Sequence, residues 1–202
     1  MTVVVSALAL CSCDADDSAP PRPSEGQGVV APGKPGEEAR TLTADEAREE
    51  TVADTPNSAD YSYVQRMIHH HQQALVMTGL AEEHAGSPSV RRLAARISAG
   101  QKPEIEAMRG WLKSNDGDER AAHDHTVMPG MATEAQLARL RAARGAEFDR
   151  LFLDLMIAHH QGALTMATEA LTDGNNVRVE EMATDVAAQQ AAEIDRMRSL
   201  RT

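Results

Sequence analysis

Apolar residues recur every three to four positions over most of the chain beyond residue 58, which is the spacing of one face of an α-helix. Helices are expected to end where glycine, proline and asparagine interrupt this pattern, at residues 86–88, 115–117 and 173–175. The pattern therefore predicts four long helices, at about residues 59–84, 89–115, 146–172 and 176–200.

The chain contains two copies of one unit, 89 residues apart. Residues 60–111 and 149–200, aligned without a gap, are identical at 18 of 52 positions. The segment Met-Ile-His-His-His-Gln-Gln-Ala-Leu-Val-Met at 67–77 returns as Met-Ile-Ala-His-His-Gln-Gly-Ala-Leu-Thr-Met at 156–166. Two helical hairpins of similar sequence most simply form an all-α four-helix bundle with pseudo-two-fold symmetry.

Capping signals predict two shorter helices. Thr43 followed by Glu46 forms a capping box, which predicts a short helix within residues 43–53. Thr133 followed by Gln136 predicts another one in the linker at 115–145 between the two copies.

Composition and charge narrow the class of protein. The 202 residues are 42% hydrophobic but only 2% aromatic, a combination that favours helices over sheets. The formal net charge of −11 argues against nucleic acid as a partner, because phosphate contacts need a basic surface. Monomer and homodimer both remain open.

The N-terminal residues resemble an export signal. Residues 1–13 are mostly apolar, too short to span a bilayer, and end in Leu-Cys-Ser-Cys, which is similar to a bacterial lipobox with Cys13 as the lipidated residue. An ordinary cleaved signal peptide is the alternative. Residues 14–57 are rich in Pro, Gly, Ser, Asp and Glu, which predicts a disordered tether ahead of a folded domain at 58–202.

Each copy of the repeat places two adjacent histidines and two methionines on one helix face, and its second helix adds a glutamate. Histidine nitrogen and methionine sulfur bind soft and borderline transition metals, so a metal site is predicted inside the bundle. Adjacent histidines diverge by about 100°, so both members of a pair are not expected to bind one ion. The candidate ligands are His70, His71, His159, His160, Met67, Met77, Met156, Met166, Glu104 and Glu193.

A second candidate metal cluster lies in the linker. His123 and His125 are followed by Met128 and Met131, a set of side chains suited to copper in either oxidation state. The alternative is a polar loop with a Pro-Gly turn.

The same residues also permit a bundle without metal. A buried histidine can donate to a glutamate on the facing helix, with glutamine closing a hydrogen-bonded network. Methionines at helical spacing often only fill a core. A structural or interaction bundle with a polar core is therefore the alternative function.

Catalysis finds little support in the sequence. No Gly-x-Ser-x-Gly motif, no glycine-rich phosphate loop and no cysteine beyond Cys13 is present. Di-iron and di-manganese bundles need Glu-x-x-His on two helices, whereas this chain has Met-x-x-His and Gln-x-x-Glu. We therefore predict a protein that is not an enzyme.

The doubled motif resembles the bacterial domain-of-unknown-function family 305, over about residues 58–201. Met-Ile-x-His-His-Gln-x-Ala-Leu-x-Met, Gln-x-x-Glu-Ile-x-x-Met and the Met-Pro-Gly-Met at 128–131 carry this resemblance. The resemblance implies a ferritin-like bundle, exported and often a lipoprotein, with some relatives implicated in periplasmic copper binding.

Together these observations predict an exported, metal-binding bundle that is lipid-anchored in the cell membrane or secreted. Copper is the favoured metal, and another divalent transition metal is possible. The predicted role is that of a scavenger or buffer.

Overall fold

The computed structural model describes residues 28–31, 38–119 and 128–201. The described residues fall into two compact units, divided between Glu49 and Glu50. Along the chain, the elements are β1 (Val29–Ala31), β2 (Arg40–Leu42), α1 (Ala44–Ala53), α2 (Ser58–Gly79), α3 (Ala81–His84), α4 (Pro88–Ser114), α5 (Glu134–Ala142), α6 (Gly145–Asp173) and α7 (Val177–Ser199).

The first unit contains a small antiparallel strand pair and the first part of α1, up to Glu49. Val29 pairs with Leu42 and Ala31 with Arg40, and α1 begins with the predicted capping box of Thr43. Among its described residues, the segment predicted as a tether over 14–57 therefore contains β1, β2 and α1. Composition averaged over the whole segment concealed two short runs of strand-forming residues.

The second unit is the predicted helical bundle of two repeated hairpins, with α2 and α6 as its central pair. Helix α2 packs against α4 and α6, and α6 packs against α7. The first helix is shorter than predicted, because α2 ends at Gly79 and residues 81–84 form the separate turn α3. Gly79 lies in the last turn of α2, where the low helix propensity of glycine favours such a break. No helix in the described part of the chain is both long and apolar enough to cross a membrane.

Two aspartates tie the hairpins together in a reciprocal way. Asp60, near the start of α2, accepts hydrogen bonds from the backbone N–H groups of Asn175 and Asn176 in the α6–α7 loop, each at 3.2 Å. Asp149, near the start of α6, accepts from Gly86 at 3.1 Å and Ser87 at 2.8 Å in the loop before α4. Asp60 and Asp149 are 89 residues apart, and so are their donors, Gly86 and Asn175 or Ser87 and Asn176. The aspartate of each hairpin therefore binds the loop of the other hairpin.

A layer of polar side chains divides the core of the bundle into two apolar clusters. Cluster one contains Met77, Leu93, Phe152, Met156 and Met197 among its buried residues. Cluster two contains Tyr63, Met67, Met108, Met166 and Met182. On each of the four long helices, the chain passes from one cluster to the other through buried histidine or glutamine, which places the polar layer between them.

Candidate functional site

The polar layer collects eight side chains from the four long helices, in two sets related by the repeat. Its four histidines are completely buried. The glutamines are buried as well, whereas the side chains of the two glutamates are 20% and 11% exposed. The members are His70 and His71 on α2, Gln101 and Glu104 on α4, His159 and His160 on α6, and Gln190 and Glu193 on α7.

One histidine of each pair bonds to the glutamate of its own hairpin. His71 Nε2 lies 2.9 Å from Glu104 Oε2, and His160 Nε2 lies 2.7 Å from Glu193 Oε2. Since a carboxylate oxygen only accepts, Nε2 of each ring donates. When the ring is neutral, this bond fixes the tautomer and leaves the Nδ1 lone pair free.

The other two histidines meet at the centre of the layer. The ring centroids of His70 and His159 lie 3.7 Å apart, with 37° between the planes. His70 Nε2 donates to the backbone carbonyl of Pro129 at 3.1 Å. Burial, reinforced by the nearby His71, lowers the pKa of His70 to about 3. Burial, followed by the proximity of His70, also holds the pKa of His159 well below its usual value, so both central rings are neutral.

Much of the layer's hydrogen-bonding capacity is not used within the described part of the chain. Buried polar atoms normally have a partner, and one without a partner costs on the order of 1–3 kcal/mol. A hydrogen-bonded network therefore accounts for only part of this layer. The layer's atoms without a partner are Nδ1 of His70, His71 and His160, both ring nitrogens of His159, and the amide oxygen and nitrogen of Gln101 and Gln190. The hydroxyl of Tyr63, in cluster two, also has no partner.

The four candidate methionines lie on both sides of the layer and are almost completely buried. Met67 and Met166 belong to cluster two, and Met77 and Met156 belong to cluster one. No three His, Cys, Asp or Glu side chains of the described residues form a group that could hold a metal ion. The candidate ligands are thus brought together as pairs, and methionine sulfur or a change of rotamer would be needed to complete a coordination sphere.

The linker cluster is partly accounted for by a structural role. His123 and His125 lie outside the described residues. Met128 and Met131 flank a turn that is anchored on α2, where the Gln73 amide donates to Ala132 O at 2.9 Å and accepts from Ala132 N at 2.7 Å. The Pro129 carbonyl of this turn is the acceptor for His70, so the turn lies directly against the polar layer.

The sequence also carried an unrecognised signal for this turn. Gly130 has a positive φ of 75°, and a Cβ on Gly162 would overlap the Pro129 carbonyl oxygen. Gly162 occupies the position in the second copy that Gln73 occupies in the first. Gln73 therefore binds the turn by hydrogen bonds, whereas Gly162, with no side chain, lets the turn pack closely against α6. The difference between Gln73 and Gly162 in the two motifs thus indicates where the Pro129 turn packs, a contact that the pseudo-two-fold symmetry of the bundle does not repeat.

Comparison with known proteins gives a consistent result. A family model described as "Domain of unknown function (DUF305)" matches residues 60–201. A DUF305 protein from Streptomyces coelicolor, named as a candidate secreted protein, is 31% identical with a TM-score of 0.67 and covers 71% of this chain and 90% of its own. A DUF305 fragment from Deinococcus radiodurans is also 31% identical, with a TM-score of 0.67, and covers 72% and 97%.

A third relative has been solved with metals. CopM in its Cu(I)-bound form is 30% identical, with a TM-score of 0.59, and the match covers 70% of this chain and 94% of that one. CopM has also been solved in Cu(II)-bound and Ag-bound forms. No curated protein matches the chain. The extent of the family match and these identities together show that the chain belongs to the DUF305 family.

Proposed function

We propose that this protein is an extracytoplasmic metal-binding protein that holds a soft transition metal, with copper favoured, in the polar layer of its bundle. The observation that carries the proposal is the set of buried ring nitrogens without a partner, placed between two methionine-containing clusters. The copper- and silver-bound forms of CopM and the candidate secreted relative support it.

The histidine–glutamate pairs suit a role in metal binding. A metal-bound histidine usually donates its second ring N–H to a carboxylate, which sets the tautomer and makes the ring a better ligand. His71 and His160 already make this bond, to Glu104 and Glu193 respectively. One histidine from each pair would bind the metal, through the free Nδ1 atoms of His71 and His160 or through the unbonded nitrogens of the central rings.

The donor set favours a soft ion over a hard one. Thioether sulfur prefers Cu(I), whereas carboxylate-rich sites prefer hard cations. The only two carboxylates of the layer are already bonded to histidines, and no cysteine follows Cys13. A site of neutral nitrogen and thioether ligands fits a scavenger or buffer, and we propose no catalytic role for it. Another divalent transition metal, held by nitrogen alone, is a further outcome of the same titration.

Metal titration of the purified protein tests this proposal. We expect saturable binding of Cu(I) or Ag(I), and about tenfold or greater loss of affinity when His70, His71, His159 and His160 are all replaced by alanine. Circular dichroism would establish that this variant is folded. A second variant, Met67→Leu with Met166→Leu, keeps the volume of the core and should weaken Cu(I) more than Cu(II). Absence of saturable binding by the parent protein, or binding by the four-alanine variant as tight as by the parent, would overturn the proposal.

A structural bundle with a polar core remains the second candidate function. The bonds from His71 to Glu104 and from His160 to Glu193 favour it, because they need no metal. The lipid anchor through Cys13 remains a prediction, since Cys13 lies outside the described residues.

A further inference from the structure

The polar layer reaches the surface through two grooves between α4 and α7. The groove that contains Glu104, here called groove A, encloses about 380 Å³. The groove that contains Glu193, here called groove B, encloses about 670 Å³. The two grooves meet at Gly100 and Gln189, where a Cβ on Gly100 would lie 2.6 Å from the Gln189 amide nitrogen.

The 89-residue offset of the repeat relates one groove to the other. Gly100 corresponds to Gln189, and Glu104 corresponds to Glu193. Gly100 and Gln189 line both grooves, Glu104 lines groove A and Glu193 lines groove B, so the grooves are equivalent positions in the two copies. Any difference between their remaining side chains therefore distinguishes two otherwise matched routes into the bundle.

The two grooves have opposite charge. Asp185 in groove A corresponds to Arg96 in groove B. Met182 in groove A corresponds to Leu93 in groove B, so only groove A has a thioether at this position. Groove B contains a second cation, Arg196, where the matching residue of groove A is Ala107.

The pairing of these charges strengthens the contrast. Among the described residues, the only cationic side chain lining groove A is Arg178, which forms an ion pair with Glu181 at 2.7 Å. Arg96 and Arg196 make no ion pair within the described residues. Groove A is therefore anionic and contains thioether sulfur, whereas groove B is cationic.

Groove A also leads directly to a candidate ligand. The histidines are completely buried, but the Glu104 side chain is partly exposed and its Oε2 lies 2.9 Å from His71 Nε2. A cation that reaches Glu104 is thus one side chain away from the histidines. In groove B, a cation would have to pass two unpaired guanidinium groups to reach Glu193.

We propose that groove A is the route by which a soft cation such as Cu(I) or Ag(I) reaches the polar layer, with Asp185 and Met182 selecting it, and that Arg96 and Arg196 close groove B to cations. This inference rests on the proposed function. Charged walls raise or lower the local concentration of an ion and change its association rate far more than its final affinity.

The rate of Ag(I) uptake by the full chain tests the route. At low ionic strength, Asp185→Arg should slow association by about tenfold, since it gives groove A the charge of groove B. The matched variant Arg96→Asp should accelerate uptake by about twofold or more, because it opens the second groove. Both residues are exposed, so the melting temperature should stay unchanged, and added salt should shrink both effects.

The outcomes separate the two proposals. If the parent chain binds no Ag(I) at equilibrium, the proposed function and the route both fail. If it binds Ag(I) but Asp185→Arg takes it up at the parental rate, or Arg96→Asp slows uptake, the function stands and the route is overturned. Met182→Leu, which copies Leu93 of groove B, should also slow uptake and leave the salt dependence unchanged.

Discussion

Replacing His159 with leucine is expected to stabilise the metal-free protein and to weaken its binding of Cu(I) or Ag(I). Both ring nitrogens of His159 are buried without a partner among the described residues, and the side chain is completely buried. Leucine has a similar volume and no polar atom to desolvate. The gain in free energy of unfolding should be on the order of 1–3 kcal/mol, with affinity for the metal reduced about tenfold or more.

Urea denaturation in the presence of a chelator measures the stability, and titration of the same samples measures the affinity. His69→Ala serves as the matched control, because the second copy already has Ala158 at this position. Within the described residues, the His69 ring bonds only to Gln72, at 3.3 Å on its own helix. The control should change neither quantity appreciably. A destabilised His159→Leu protein would show that His159 belongs to a complete structural network, and would contradict the argument from unbonded nitrogens.

The same variant should alter the response to acid. His159 is neutral in the folded protein because burial lowers its pKa, whereas in the unfolded chain it takes up a proton below about pH 6.5. The unfolded state then binds more protons, so the stability of the metal-free protein should fall as the pH drops below about 6.5 and level off above it. His159→Leu should reduce the slope of this fall, measured by denaturation at pH 5 and pH 7.5.

Replacing Asp60 with alanine should produce the largest loss of stability among the polar substitutions considered. The carboxylate is 1% exposed and accepts from the backbone N–H groups of Asn57 at 2.8 Å and of Asn175 and Asn176 at 3.2 Å. Removing it leaves several donors without their acceptor, at an expected cost of about 3 kcal/mol or more. Asp60→Asn should also destabilise, since one side of an amide cannot accept from these N–H groups.

Thermal and urea unfolding measure this loss, with two comparisons. Asp149→Ala should cost less, about 2 kcal/mol, because Asp149 bonds only Gly86 and Ser87 in the part of the chain that the structure describes. Asp195→Ala, which removes an exposed partner of Arg198, should have almost no effect. Equal stabilities for Asp60→Ala and Asp195→Ala would mean that the reciprocal ties contribute little.

The helices and the pairing of the histidines followed from local sequence signals. Helical periodicity and the breakers placed α4, α6 and α7 within about two residues of their observed limits. The angle between adjacent helical residues predicted that the two histidines of a pair would separate, and they do. These features depend only on residues of the same helix or on the repeat.

Features that depend on distant parts of the chain did not follow in this way. Two partners of Asp60, Asn175 and Asn176, lie more than a hundred residues away, and nothing in a local window indicates them. The docking of the Pro129 turn on His70 needed the tertiary arrangement. The strands β1 and β2 were not predicted, because each has only three residues and the segment around them is mostly polar.

The reciprocal bonds of Asp60 and Asp149 have a consequence for the origin of the fold. Each hairpin has an aspartate that accepts hydrogen bonds from the loop of the other hairpin. The backbone N–H groups of its own loop have no such acceptor within the same hairpin. Two identical hairpins could satisfy both only as an isologous C2 dimer. The present chain is, in architectural terms, such a dimer fused into one polypeptide, and fusion has allowed its two halves to diverge, which a true homodimer could not do.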